Sequence, residues 1–240
     1  MARPVALITG GARRVGRAIA LGLGAAGHDV VIHYRESAAE AAATVAELEA
    51  LGVRASALAA DLGEARAAQE LPGRAFAIFG RLDVLVNSAA VWRPVPLRAV
   101  TPADWDDTMA VNLRAPFLLS VAAASLLPAG GVIVNLADHL ATESSPGLVP
   151  HSISKAGVVA MTAQLARQLA PNVRVNAVAP GAVLPPPGWS DEAQRRFVAS
   201  TPLQRLGSPD DVADAVVFLV AATYITGVVL PVDGGRHLGR

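Results

Sequence analysis

The chain has 240 residues, 52% of them apolar and only 17% charged, enough to bury the core of one domain. Twenty basic and twenty acidic side chains cancel, which leaves no broad field for nucleic acid or an anionic membrane, and the absence of cysteine excludes disulfides and thiolate chemistry. The five histidines form no HxH or HExxH pattern, and no uninterrupted apolar stretch reaches the ~18 residues of a membrane helix, so a soluble cytoplasmic protein without metal is expected.

Short β-branched runs alternate with longer alanine-rich ones. The pattern predicts strands at 5–9, 29–34, 54–59, 82–87, 131–136, 173–178 and 227–232. Helices are predicted at 14–26, 37–51, 64–80, 102–127, 152–169, 190–199 and 209–222. Runs such as VLVN and VIVN read as buried parallel strands covered on both faces. The expected fold is therefore α/β, a Rossmann-like doubly wound parallel β-sheet with helices on both faces. No linker divides it. A single domain over 1–240 is expected, with a nucleotide-binding half at about 1–136 and a catalytic and substrate-binding half at about 137–240.

The first strand runs into TGGARRVGR, where Gly10 and Gly16 bracket a turn into a helix. Such a turn lets backbone N–H groups and a helix N-terminus approach a pyrophosphate, although glycines also serve plain tight turns. At the end of the second strand, IHYRES places Tyr34 and Arg35 where an NAD site has its acidic residue. Arg13 adds a second positive charge, and NADPH is preferred over NADH. Glu36 matters if the register slips, and Arg35 is also readable as a solvated surface charge.

Taken together, TGGARRVG, Asp61 after the third strand, NSAA at 87–90, Asn112, HSISK at 151–155, the PG at 180–181 and ITGVVLPVDGG at 225–235 resemble the short-chain dehydrogenase/reductase family over the whole length. The resemblance implies an oxidoreductase whose NADP is held by Gly10, Arg13, Arg14, Val15, Gly16, Tyr34, Arg35, Asp61, Leu62, Asn87, Ala89, Lys155, Pro180 and Gly181. It implies that Asp61 caps the adenine region and that Asn87 holds the central strand and nucleotide, though either could simply end its strand. Homotetramers are likewise implied. A narrower likeness is to the pteridine reductases, through Arg14 in the glycine turn, HYRESAAEA, Asp138 in place of a serine, and Trp92 as a stacking aromatic. On that likeness, substrate meets Arg14, Trp92, Asp138, His151 and Trp189. Trp92 as an ordinary loop aromatic and Trp189 as a surface anchor are the plainer alternatives.

The departure from the family lies at its YxxxK motif, which here reads His151-Ser-Ile-Ser-Lys155. Reduction of C=O or C=N needs a proton donor beside the reacting atom. Histidine titrates near neutrality and can donate, yet Lys155 would oppose an imidazolium where it would favour a phenolate. Asp138 could offset that, or carry the proton itself, and His139 beside it is a further candidate. His151 is also readable as a neutral helix-start residue. Asn112 either holds a water that relays protons toward Lys155 or interrupts its helix by local backbone bonding. The prolines at 185–187 are expected to stiffen a short lid carrying Trp189. Two functions follow: an NADPH-dependent reductase of a small carbonyl or imine compound, including a pteridine or dihydrofolate-like ring, or a catalytically weak NADP-binding protein.

Overall fold

The apolar runs pair into one parallel sheet in the computed structural model, which describes residues 2–143, 145–184 and 189–238. Its strands are β1 (Val5–Ile8), β2 (Asp29–Tyr34), β3 (Ala55–Ala59), β4 (Val84–Asn87), β5 (Gly131–Leu136), β6 (Val173–Pro180) and β7 (Val229–Val232), in the order β3-β2-β1-β4-β5-β6-β7. All neighbouring pairs are parallel. The order reverses between β1 and β4, so the connections leaving these strands diverge and open a crevice beyond their C-terminal ends.

Alternation along the strands divides the core into two layers. Leu7, Leu85 and Ile133 face one side and pack with Leu71 of α3 (Ala65–Phe79) and with Leu119 and Leu165. Ile8, Val86 and Val134 face the other, against Ile19 of α1 (Arg14–Ala25), Leu48 of α2 (Ala38–Ala50) and Leu219. Most of these side chains are wholly buried, each stabilising the fold by about 2 kcal/mol. This rigid platform fixes where the strand ends present their loops.

The stretch expected as one helix over 102–127 is divided. It comprises α4 (Pro102–Met109), a π-helical turn (Ala110–Arg114) and α5 (Ala115–Ala124). Thr101 and Asp104 form a capping box at its start, with Pro102 in the first turn. Pro116 has no N–H to return to the carbonyl of Asn112, four residues back, which is a physical reason for the ladder to widen there.

Next come α6 (Val149–Leu169), α7 (Asp191–Ser200) and α8 (Pro209–Ala221). α6 starts three residues earlier than expected, so His151 sits inside its first turn. An unexpected 3-10 turn (His139–Ala141) follows β5. The expected stiffening by the prolines at 185–187 lies outside the described residues. Among the described residues no helix is long and apolar enough to cross a membrane.

Candidate functional site

The turn between β1 and α1 is shaped by its glycines. Gly10 has φ +66°, and a Cβ on Gly16 would lie 2.2 Å from the Gly10 carbonyl oxygen. Arg14 stands between them with φ 54°, a left-handed conformation that costs a non-glycine residue about 1 kcal/mol. Arg13, at the N-cap of α1, makes no side-chain cap, and no acidic residue occupies the first turn. The amides and positive dipole end of α1 are thus directed at the crevice without a side-chain acceptor. Thr9 ties the turn to the loop after β4, its Oγ1 accepting from the amides of Ser88 (2.9 Å) and Ala89 (3.0 Å).

Beside this turn, Tyr34, Arg35, Asp61 and Leu62 form the far wall. Arg35 pairs with Glu36 at 3.0 Å, with both side chains exposed. Such a solvated pair contributes little and exchanges readily for another anion. Arg13 and Arg14 are exposed and have no ion-pair partner among the described residues. Three guanidiniums therefore border this end, against Glu36, Glu40 and Asp61. The Asp61 Oδ1 accepts from the Gly63 amide at 2.8 Å, which orders its loop.

At the opposite end, β5 and α6 bring together Asp138, His151 and Lys155. Asp138 caps the 3-10 turn, its Oδ1 accepting from the Leu140 amide at 2.9 Å. The same carboxylate lies between two imidazoles, 2.9 Å from His139 Nδ1 and 3.2 Å from His151 Nε2. Burial alone would raise its pKa, but the hydrogen bonds from both histidines, with the His139 charge and the Leu140 amide, hold it well below the carboxylate range. These contacts favour the ionised form of Asp138 at neutral pH. Burial opposes a charge on His139, yet the hydrogen bond and charge of Asp138 prevail and raise its pKa.

His151 is buried. Its Nε2 carries the proton toward Asp138, while Nδ1 lies 3.4 Å from both the Val91 carbonyl and Asn112 Nδ2. Lys155 is also buried, and Nζ donates to the Leu136 carbonyl at 2.7 Å. Burial lowers its pKa to about 8, against a smaller opposing effect of Asp138.

Asn112 does not bond locally within its helix. Its amide grips Val91 across the site, accepting from the backbone N–H (2.8 Å) and donating to the carbonyl (3.0 Å). It stands behind His151 rather than on the wall of the crevice. Asn87 also lies off the wall. It is buried and donates to Asn135 Oδ1 (2.8 Å) and Ser120 Oγ (3.1 Å), clasping β4 to β5 and α5. A direct side-chain contact with a nucleotide is therefore not its place.

The other residues singled out from the sequence line a single cleft of about 1170 Å³. Gly10 through Gly16 stand at one end, Ala89, Pro180 and Gly181 in the middle, and Trp92 and Trp189 at the mouth. Trp189 packs on Phe197 of α7 with ring centres 5.4 Å apart. Arg236 lies 4.2 Å over the centre of the Phe197 ring and pairs with Glu143 at 3.1 Å. Phe197, Glu143, Arg236 and His33 also line the cleft and carry no motif. Phe197 and Glu143 lie outside the recognisable segments, Arg236 directly follows the one at 225–235, and His33 stands inside IHYRES as a polar residue in an otherwise apolar strand.

An uncapped helix start over a glycine turn, at the switch point of a doubly wound sheet, defines a dinucleotide-binding α/β protein. The family model described as enoyl-(acyl carrier protein) reductase matches residues 10–237. Over 97% of its length the chain is 35% identical to the 3-oxoacyl-(acyl-carrier-protein) reductase FabG of Staphylococcus aureus, of which 98% is covered. It is similar to the crystal structure of a short chain dehydrogenase from Burkholderia cenocepacia in complex with NADP, at 40% identity and a TM-score of 0.93 over 97% of each chain. A blue fluorescent protein from a metagenomic library, in complex with NADPH, matches at 36% identity and a TM-score of 0.92, again over 97% of each chain. The chain belongs to the short-chain dehydrogenase/reductase family of enzymes.

Proposed function

We propose that this chain is an NADPH-dependent reductase of small carbonyl compounds. The observation that carries this reading is the cluster of Lys155, His151 and ionised Asp138 at one end of a cleft whose other end bears three arginines. Arg13, Arg14 and Arg35 hold the 2′-phosphate, the start of α1 holds the pyrophosphate, and Asp61 with Leu62 borders the adenine. Ala89, Pro180 and Gly181 flank the middle of the cofactor, and Lys155 binds the nicotinamide ribose with the N–H groups not used by Leu136. NADPH, when bound, supplies the hydride.

The protein's task is then the proton. His151 replaces the tyrosine of the family motif as general acid, and its Nε2 proton, shared with Asp138, passes to the substrate oxygen. With hydride delivered to the carbon, the C=O π electrons would take up the His151 proton at oxygen to give an alcohol, and His151 would be reprotonated from solvent. Asp138 orients the ring through its contact with Nε2, and Asn112 sets its position from behind. The relatedness to a 3-oxoacyl reductase favours a β-keto thioester as substrate.

A second substrate class, a pteridine or dihydrofolate-like ring, is favoured by one observation: Trp92 and the unpaired Arg14 share the cleft wall, offering a stacking face and a donor to a flat heterocycle. On this reading residues 1–136 carry the nucleotide and residues 137–240 the chemistry. The exposed Phe117, Val121 and Ile153 suit burial in a homotetramer, and a cytoplasmic site of action is proposed with it.

The test is NADPH oxidation by the purified protein with acetoacetyl thioester, a small diketone, dihydrobiopterin and dihydrofolate. Turnover of the thioester or diketone supports carbonyl reduction, and preference for dihydrobiopterin transfers the assignment to pteridines. Tight NADPH binding with no turnover across the panel would instead favour a catalytically weak NADP-binding protein.

A further inference from the structure

His33 is the residue before the last of β2 and is 3% exposed, yet the chemistry proposed above makes no use of it. Its ring spans two segments that are distant in sequence. Nδ1 accepts from the Gly10 amide at 3.1 Å, and Nε2 lies 3.0 Å from the carbonyl oxygen of Ala60. A backbone amide can only donate and a carbonyl can only accept. Nδ1 must therefore offer a lone pair and Nε2 must carry the hydrogen, so the ring is held as one neutral tautomer. The main chain reinforces the brace, because the His33 carbonyl accepts from the Gly11 amide at 3.0 Å.

Each end of the brace leads to a cofactor-facing element. Gly10 belongs to the glycine turn that leads into α1, and Ala60 precedes Asp61 and Leu62 on the opposite wall. We infer that His33 is a positioning residue for the dinucleotide, a neutral imidazole that sets the spacing between the pyrophosphate turn and the adenine loop. This inference rests on the NADPH reading of the cleft.

Protonation would place an N–H on Nδ1, facing the Gly10 N–H, and the bond would be lost. Burial lowers the pKa of the ring and so maintains the neutral form near pH 7, and Arg74 on α3 acts the same way. The Ala60 carbonyl and Asp61 act in the other direction. The other charged groups at this end of the cleft are Arg13 and Arg14 on the glycine turn, Arg35 and Glu36 after β2, and Glu40 on α2. Because the ring's pKa lies below the ordinary histidine value of about 6.5, the neutral brace is intact above that pH and is lost progressively below it.

The experiment is the NADPH dissociation constant, measured by titration between pH 5 and 8, for the wild type, H33N and H33L. Asparagine retains a non-titrating acceptor for Gly10; leucine retains bulk and removes both bonds. H33L should bind NADPH about tenfold more weakly at pH 7.5, the effect of one unpaired buried amide, with kcat at saturating NADPH unchanged. H33N should bind within about threefold of the wild type at that pH. The cofactor's own phosphate titrates near pH 6, so the difference between the wild-type and H33N slopes isolates the ring. A steeper acid loss of affinity in the wild type than in H33N supports the inference. Parallel pH profiles, or an H33L that binds like the wild type with an unchanged thermal midpoint, overturn it. A wild type that binds no NADPH at any pH overturns the cofactor reading itself, and the inference with it.

Discussion

At the glycine-turn end of the cleft, Gly10, Gly16, Thr9 and His33 act on the main chain: they shape it, tie it, or accept its amides. At the β5–α6 end, Asp138, His139 and His151 act chiefly on one another, through side-chain bonds of 2.9 and 3.2 Å. The first construction depends on backbone geometry and tolerates surface variation around it. The second depends on the charge state of each member, because one ionised carboxylate organises both imidazoles. The same fold thus carries a cofactor end whose errors should appear as weaker binding and a chemistry end whose errors should appear as lost turnover.

That contrast can be broken at the chemistry end first. Replacing His151 with phenylalanine keeps the ring volume and removes the proton, so kcat/KM should fall about 10²- to 10⁴-fold with NADPH affinity nearly unchanged. D138N keeps an acceptor for the Leu140 amide but removes the negative charge between the histidines. It should lower kcat about 100-fold, and the pH profile of kcat should shift because His139 loses the carboxylate that raises its pKa.

Lys155 separates the two ends by pH. Its amine loses its charge as pH rises through about 8, because burial has lowered its pKa. The wild-type kcat/KM should therefore decline above that pH. K155R keeps its charge there and should flatten the alkaline limb while lowering the maximum about tenfold through imperfect fit. An alkaline limb unchanged in K155R would assign that titration to another group.

Smaller effects belong to the supports. N112A leaves both the N–H and C=O of Val91 without their partner and should destabilise the fold by about 2 kcal/mol, a drop of about 5 °C in Tm. R14G has the opposite sign for stability: it relieves the left-handed arginine by about 1 kcal/mol. Loss of its guanidinium should nevertheless raise the KM for NADPH several-fold, so Tm and KM would rise together.

The parts legible in the sequence are those that local chemistry dictates. The β-branched runs became the parallel strands, and the glycines marked the turn because no other residue fits there. The sequence pattern over 102–127 continues through Asn112 and does not show the π turn at its centre. Its π turn holds Asn112, which grips Val91 21 residues away, and Pro116 just after it withholds the N–H that would return to the Asn112 carbonyl. Asp138 acting on His151 is one of several options in the sequence, and its simultaneous contact with both histidines is not legible there. Its thirteen-residue separation from His151 says nothing about where the carboxylate points until β5 and α6 are placed. Arg236 and Phe197 meet Glu143 and Trp189 from the far end of the chain, and no local pattern announces that contact.

The most direct test of the account is the single-turnover oxidation of bound NADPH by acetoacetyl thioester in the wild type and H151F, with NADPH affinity measured on the same samples. H151F should bind NADPH as the wild type does and oxidise it at least 100-fold more slowly. Hydride transfer at the wild-type rate in H151F would contradict it and remove His151 from the proton path.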